Sequence, residues 1–355
     1  MVSGDVLLFQ CYARPADLPA DEWDEDSSQH SWVILQQKDG TQLQRFDAAM
    51  VMNLYAVHDL PAEWVELDDY STGSTRSSQT LYNPVTGEAL PDFIQTCGSG
   101  SACFATSDGR YQLVDMTSAD RTVLGTFDDR VTTYFPGYAV TSNYDGWNSD
   151  TANTLYDLAS GEQTPLYDVN TTTGSVAVYA ADGALRVYDS STGAVLTDTT
   201  VEPIQQQKKA RISNEGDGYV WLELWDNDNY ETTATRVYGP EGLVSDLTRL
   251  QDTYSYLNYL TTTPEGKPLF YGTRDAVGSA YGTVSDVLDA DGNVVIPGLG
   301  SCYGYYSNSL NGLPEHTFAA SRGFYYGWMD TAGNWIYCQS IFTTVNADDD
   351  SNYGV

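Results

Sequence analysis

Val187-Tyr188-Asp189-Ser190-Ser191-Thr192-Gly193-Ala194-Val195-Leu196 reads as two short strands joined by a tight turn. Gly193 supplies the positive φ that such a turn requires, and Asp and Ser can bond back onto the turn backbone. The same unit occurs as Leu81-Tyr82-Asn83-Pro84-Val85-Thr86-Gly87-Glu88-Ala89-Leu90 and as Leu155-Tyr156-Asp157-Leu158-Ala159-Ser160-Gly161. Looser copies run Leu113-Val114-Asp115 through Leu124 (without Gly), Val237 to Gly242, Val287 to Gly292 and Trp328 to Gly333. Ile34-Leu35 followed by Lys38-Asp39-Gly40 can be read as a first copy.

The copies sit near residues 35, 82, 114, 156, 188, 238, 288 and 328. Their mean step of about 42 residues suits a four-stranded propeller blade of roughly 40–45. Helical 3.6-residue stripes are weak, while Thr, Tyr, Val, Ser and Gly dominate. The expected fold is therefore an all-β propeller forming a single domain over 1–355, with a polar, proline-broken acidic loop at 15–30. Seven blades are preferred, because about 51 residues each accommodates long loops, and eight is the second choice. Paired β-sandwiches are the competing architecture. In Tyr219-Val220-Trp221-Leu222-Glu223-Leu224-Trp225, Val220, Leu222 and Leu224 fall on one face and Tyr219, Trp221 and Trp225 on the other. Both faces are apolar, so neighbouring sheets should cover this strand on both sides.

The Leu-Tyr-Asp-x-x-x-Gly units resemble blades of quinoprotein-like β-propellers. Asp289-Ala-Asp-Gly-Asn-Val-Val-Ile-Pro297 and Tyr326-Gly-Trp-Met-Asp-Thr-Ala-Gly-Asn-Trp-Ile336 resemble the WG repeats of bacterial surface proteins. The resemblance implies a fold and an exported, cell-surface setting. No run matches the cofactor or calcium ligands of the quinoprotein enzymes, so it implies no activity.

Charge narrows the partners. With 16 Lys+Arg against 49 Asp+Glu the formal charge is −33, which argues against nucleic acid and against an anionic membrane surface. No run reaches the ~20 apolar residues of a membrane span. Residues 1–11 lack a basic leader region and read as a first strand. In a closed ring, residues 1–10 should pair with a strand in 334–343. The five cysteines include no Cys-x-x-Cys pair. Two pairings are expected to come within disulfide geometry in at least one case: Cys97 with Cys103 across a hairpin, and Cys302 with Cys338 across adjacent blades. Cys11 should be buried as a small hydrophobe.

The sequence contains no His-Glu-x-x-His, no phosphate loop and no Gly-x-Ser-x-Gly. Gly300-Ser301-Cys302-Tyr303-Gly304 fits a Cys version of the nucleophile elbow but lacks a following helix, and only His316 could approach it. Acidic pairs such as Asp68-Asp69 and Asp128-Asp129 read as solvated surface. Asp226-Asn227-Asp228-Asn229-Tyr230-Glu231 alternates oxygen ligands, making Asp226, Asp228 and Glu231 a candidate calcium site; no other cofactor is implied. The loop 142–150 combines aromatics, amides and carboxylates, the mixture that stacks on sugar rings and bonds to hydroxyls. Tyr144, Asp145 and Trp147 are its candidate ligand residues. The expected function is a non-catalytic, monomeric binding module, extracellular or on the cell surface, presenting loops to a glycan or protein partner. The alternatives are a glycan hydrolase or lyase with carboxylates at the propeller mouth, and a structural spacer.

Overall fold

The computed structural model describes residues 2–3, 6–12, 31–47, 52–57, 60, 64–69, 78–143, 152–172, 174–201, 208–214, 218–226, 232–278, 282–303 and 314–340. Among them every regular element is a strand, apart from one 3₁₀ turn at Thr248–Leu250. The first sheet holds β1 (Val2–Ser3), β2 (Val6–Tyr12), β3 (Ser31–Gln37) and β4 (Gln42–Asp47). The second holds β5 (Met52–Ala56), β6 (Val65–Asp69), β7 (Ser78–Asn83) and β8 (Glu88–Pro91). The third holds β9 (Phe93–Gly98), β10 (Ser101–Ala105), β11 (Tyr111–Asp115) and β12 (Val123–Phe127). A seven-stranded sheet contains β13 (Arg130–Phe135), β14 (Tyr138–Ser142), β15 (Asn153–Asp157), β16 (Gln163–Thr172), β17 (Ser175–Ala180), β18 (Ala184–Asp189) and β19 (Val195–Thr200). Three four-stranded sheets follow. One has β20 (Lys208–Asn214), β21 (Val220–Asp226), β22 (Thr232–Gly239) and β23 (Gly242–Asp246). The next has β24 (Tyr256–Thr262), β25 (Pro268–Asp275), β26 (Thr283–Leu288) and β27 (Val294–Leu299). The last has β28 (Ser301–Tyr303), β29 (Thr317–Arg322), β30 (Tyr325–Asp330) and β31 (Trp335–Ser340). Strand order follows chain order in every sheet, so each is an antiparallel meander.

The repeated unit occupies equivalent turns: β3–β4, β7–β8, β11–β12, β15–β16, β18–β19, β22–β23, β26–β27 and β30–β31. Six of these pairings also carry a register shift at the apolar pair, between Leu35/Gln36, Leu113/Val114, Val187/Tyr188, Val237/Tyr238, Val287/Leu288 and Trp328/Met329. Such bulges sharpen the local twist of the strand. The polar residue after the pair ties the turn. Asp189 Oδ1 accepts from the Ser191 hydroxyl at 2.6 Å, the Thr192 amide at 2.8 Å and the Ser191 amide at 2.9 Å. The Ser191 hydroxyl foremost, then Thr192, holds the Asp189 carboxyl down at about 2. Asn83 plays the same part toward the Val85 and Thr86 amides, and Asp157 toward Ala159 and Ser160. In the copy without glycine, Arg121 takes the left-handed position, φ 50°. Its guanidinium lies 5.2 Å over the Trp64 ring and pairs with Glu88 at 2.9 Å.

Two compact units emerge, Met1–Leu166 with Asp189–Ala194, and Tyr167–Tyr188 with Val195–Val355. β16 is unusually long. Gln163–Leu166 ladders with β15 inside the first unit, and from Tyr167 the same strand opens the β17–β19 meander of the second.

Within each unit, sheets stack through apolar faces, in the first unit from the second sheet onward. In the first, Trp64 and Leu81 pack with Phe93, Ala102, Val114 and Met116, while Cys103, Leu113 and Phe127 pack with Val131 and Ala139. Neighbouring residues such as Ala102 and Cys103 thus serve opposite faces of the third sheet. In the second unit, Val220 and Leu222 pack with Ala177, Tyr179, Leu185 and Val187, whereas Trp221 and Val237 pack with Leu257, Tyr259 and Phe270. The two-sided burial expected for 219–225 is found.

Two expectations are corrected. β2 ladders with β1 and β3, and β31 with β30, so the described residues of 1–10 do not share a ladder with Trp335–Ser340. Each described meander fills its sheet with its own consecutive strands, leaving none to close a distant edge. All five cysteines are free. Cys302 and Cys338 sit on the first and last strands of one sheet, roughly 14 Å apart at ordinary strand spacing, too far to bond. Cys97 and Cys103 remain thiols in one buried cluster, with the Cys97 thiol donating to the Val131 carbonyl at 3.4 Å; the adjacent Cys103 thiol, aided by burial, pushes the Cys97 thiol far up. Cys11 is half-buried rather than buried.

Gly193 has φ 72°, and a Cβ there would lie 2.0 Å from the Pro136 carbonyl oxygen. The same turn is held by the Ser99 hydroxyl donating to the Ser190 carbonyl at 2.8 Å. Gly193→Ala is expected to cost about 2–4 kcal/mol, left-handed strain plus a backbone clash. Urea denaturation checks this, and a loss under about 0.5 kcal/mol would show that the turn is not seated on Pro136.

Candidate binding site

The strand β21 brings chemistry to one face of its sheet. Ser213 stands opposite Trp221 and Arg211 opposite Glu223, so the two-residue period puts all four side chains on the same side. Tyr256, Leu257 and Asn258, at the start of β24, complete a cavity of about 150 Å³ with them. Trp221 is 4% exposed and packs edge-on against Phe270, ring centroids 5.8 Å apart. Its Nε1 donates to Glu223 Oε1 at 3.1 Å, which fixes both side chains. Asn258 Nδ2 donates to the Tyr256 hydroxyl at 2.9 Å, and its Oδ1 accepts from the Tyr259 amide at 2.8 Å. Tyr256 is 52% exposed, leaning on Tyr271 at 5.8 Å, so one aromatic face remains open. Beneath Arg211, Asp168 accepts from the Ile212 and Val169 amides at 2.8 and 2.9 Å. Burial pushes the Asp168 carboxyl up, against the pull of those amides and of the Arg211 charge.

This arrangement can stack a ring and hydrogen-bond its hydroxyls through a carboxylate, an amide and a serine. A second concavity, about 460 Å³, runs over turns from Tyr219 to the hairpins at Lys267 and Asp289–Asp291. There the Asp289 oxygens already accept from the Asp291 and Asn293 amides, and Tyr219 donates to the Gly266 carbonyl.

Of the residues expected from sequence, Tyr144, Asp145 and Trp147 lie outside the described residues, between β14 and β15. Asp226 ends β21 opposite Lys208, and Asp228 and Glu231 also lie outside. Among the described residues no three His, Cys, Asp or Glu side chains are grouped to hold a metal. Cys302 is on strand β28, inside an apolar cluster, with its thiol pushed up by burial. His316 Nδ1 is engaged by Thr262, 3.0 Å from its carbonyl oxygen. The nucleophile-elbow reading therefore fails at both residues. Arg211, Tyr256 and Asn258 were not anticipated. The one sequence signal for them is Lys208-Lys209-Ala210-Arg211, a dense basic run in a chain with 16 Lys+Arg and 49 Asp+Glu.

Repeated antiparallel meanders, stacked face on face within each unit, define an all-β protein carrying a small aromatic-walled cavity. Residues 81–349 match the family described as Domain of unknown function (DUF5046), and the chain belongs to that family. No curated protein matches it. Similar solved structures include BamB from Moraxella catarrhalis, 14% identical over 72% of this chain and 78% of that one, with a TM-score of 0.26. The computationally designed Ika8 protein is 10% identical, covering 82% and 87%, TM-score 0.28. Hsv2p of Kluyveromyces lactis is 9% identical, covering 72% and 91%, TM-score 0.29.

Proposed function

We propose that the chain is a single β-propeller acting as a non-catalytic, monomeric glycan-binding module, with its ligand in the cavity of Arg211, Trp221, Glu223, Tyr256 and Asn258. Eight equivalent turns in consecutive meanders favour eight blades over the seven first preferred. Burial on both faces of the third sheet and of β20–β23 disfavours paired sandwiches, whose sheets bury one face each. The observation that carries the function is the open Tyr256 ring beside fixed hydrogen-bonding groups, with Glu223 the one carboxylate among the described residues that line the cavity. Glycoside hydrolysis needs a pair of carboxyl groups, and among the described residues Glu223 has no acidic partner in the cavity. A setting outside the cell or on its surface is supported by the scarcity of lysine and the WG-like stretches; the five unbonded cysteines do not support it.

A glycan array followed by calorimetry tests the reading. The wild type should bind a glycan without cleaving it, and Tyr256→Ala should weaken binding about 2- to 10-fold, the worth of one aromatic contact. Unchanged binding in Tyr256→Ala together with loss in Trp147→Ala would move the site to the 142–150 loop. Release of new reducing ends would make the protein an enzyme.

A further inference from the structure

We infer that the sugar taken by this cavity carries a carboxylate, held by the Arg211 guanidinium; the inference rests on the glycan-binding reading above. It starts from a pairing that is missing. In the preceding sheet Arg186 stands directly opposite Asp198, and in the same sheet Arg236 stands opposite Asp246; both cross-strand pairs close at 3.2 Å. Arg211 stands opposite Glu223 in the same way, yet Glu223 turns its oxygen to Trp221 Nε1 instead. The other nearby acid, Asp168, feels the Arg211 charge, but its two oxygens accept from backbone amides and it forms no ion pair with Arg211. Arg211 is exposed, lines the cavity and makes no hydrogen bond or ion pair with the described residues, in a chain where acids outnumber bases 49 to 16.

A guanidinium left open at a cavity mouth presents a planar fork that matches a carboxylate bidentately. The remaining groups suit the rest of a uronate ring. Tyr256 offers its face to the ring, and the Glu223 carboxylate and Asn258 amide accept from or donate to its hydroxyls. Because the Glu223 charge sits one strand away, a ligand of two or more negative charges would meet repulsion. One carboxylate per bound ring fits.

The test is calorimetry on the full chain with a hexuronate trisaccharide and with the same trisaccharide after its carboxyls are reduced to hydroxymethyl groups. The expected result is that reduction weakens binding at least tenfold. Arg211→Gln should weaken the uronate by a similar factor and the reduced sugar far less, and Arg211→Lys should recover part of the uronate loss. Raising salt should erode uronate binding and spare the reduced form. Arg211 is exposed, so these variants should fold, and their melting curves verify it. Equal binding of both sugars with a silent Arg211→Gln overturns the carboxylate inference while leaving a glycan-binding protein. Binding of neither sugar by the wild type, with a neutral glycan found on the array, also overturns it. An array without any binder removes the glycan reading itself.

Discussion

Asp286→Ala is expected to lower stability by about 3–5 kcal/mol, because Asp286 is a buried carboxylate with several donors depending on it. The side chain is 3% exposed. Its Oδ2 accepts from Arg274 Nε at 2.7 Å and from the Tyr254 hydroxyl at 3.2 Å, and its Oδ1 accepts from the Gly298 amide at 2.8 Å. The Gly298 amide matters most. Between Ser285↔Leu299 and Val287↔Ile296 the β26–β27 ladder shifts register, and Asp286 supplies the acceptor there. Removing the carboxylate strands a backbone donor, a tyrosine hydroxyl and a guanidinium at once. Asp286→Asn keeps the acceptor for Gly298 but loses the charge, so it should fall between wild type and alanine. Urea titration of the three proteins measures the order; alanine and asparagine variants of equal stability would show that the Gly298 contact contributes nothing.

The second large effect is expected at Phe270, which is 0% exposed. It meets Trp221 at 5.8 Å and Tyr259 at 6.3 Å, both edge to face. Phe270→Ala should cost about 3–5 kcal/mol through lost contacts and an unfilled cavity, and Phe270→Leu considerably less. The leucine variant remains folded and tests the link to the site. With the wall behind Trp221 loosened, glycan binding should weaken in Phe270→Leu although no ligand contact has been removed. A leucine variant that binds like wild type would show that Trp221 is held well enough by Glu223 alone.

How far the sequence could be read follows from the range of each interaction. The turns were legible because Asp189, Ser191 and Gly193 settle their conformation among themselves, within five residues. The faces of β21 were legible because alternation needs only the strand. Arg121 was not: it takes a glycine's place with the help of Trp64 and Glu88, far back in the chain. Nor was the doubled strand β16, where no turn signal marks the point at which one meander hands over to the next. The cavity escaped for the same reason. Its far wall, Tyr256 to Asn258, is separated from Arg211 by three strands, and nothing local says which residues of β24 will stand there. The expected ligand loops follow the second strand of their meanders, between β14 and β15 and between β21 and β22.

The meander rule also governs the order of events on the ribosome. Every described ladder joins strands that are neighbours in the chain, so each four-stranded sheet can complete its hydrogen bonding as soon as its own roughly forty residues have emerged, and the seven-stranded sheet after roughly seventy. At 5–20 residues per second that is about 2–8 seconds per four-stranded sheet. During that interval one apolar face, such as that of Val220 and Leu222 or of Leu260 and Leu269, waits for a neighbour already made or about to be made. The nascent chain therefore never has to keep an early strand unpaired until synthesis ends, and its period of exposure to misassembly is set by one sheet rather than by the full length of translation.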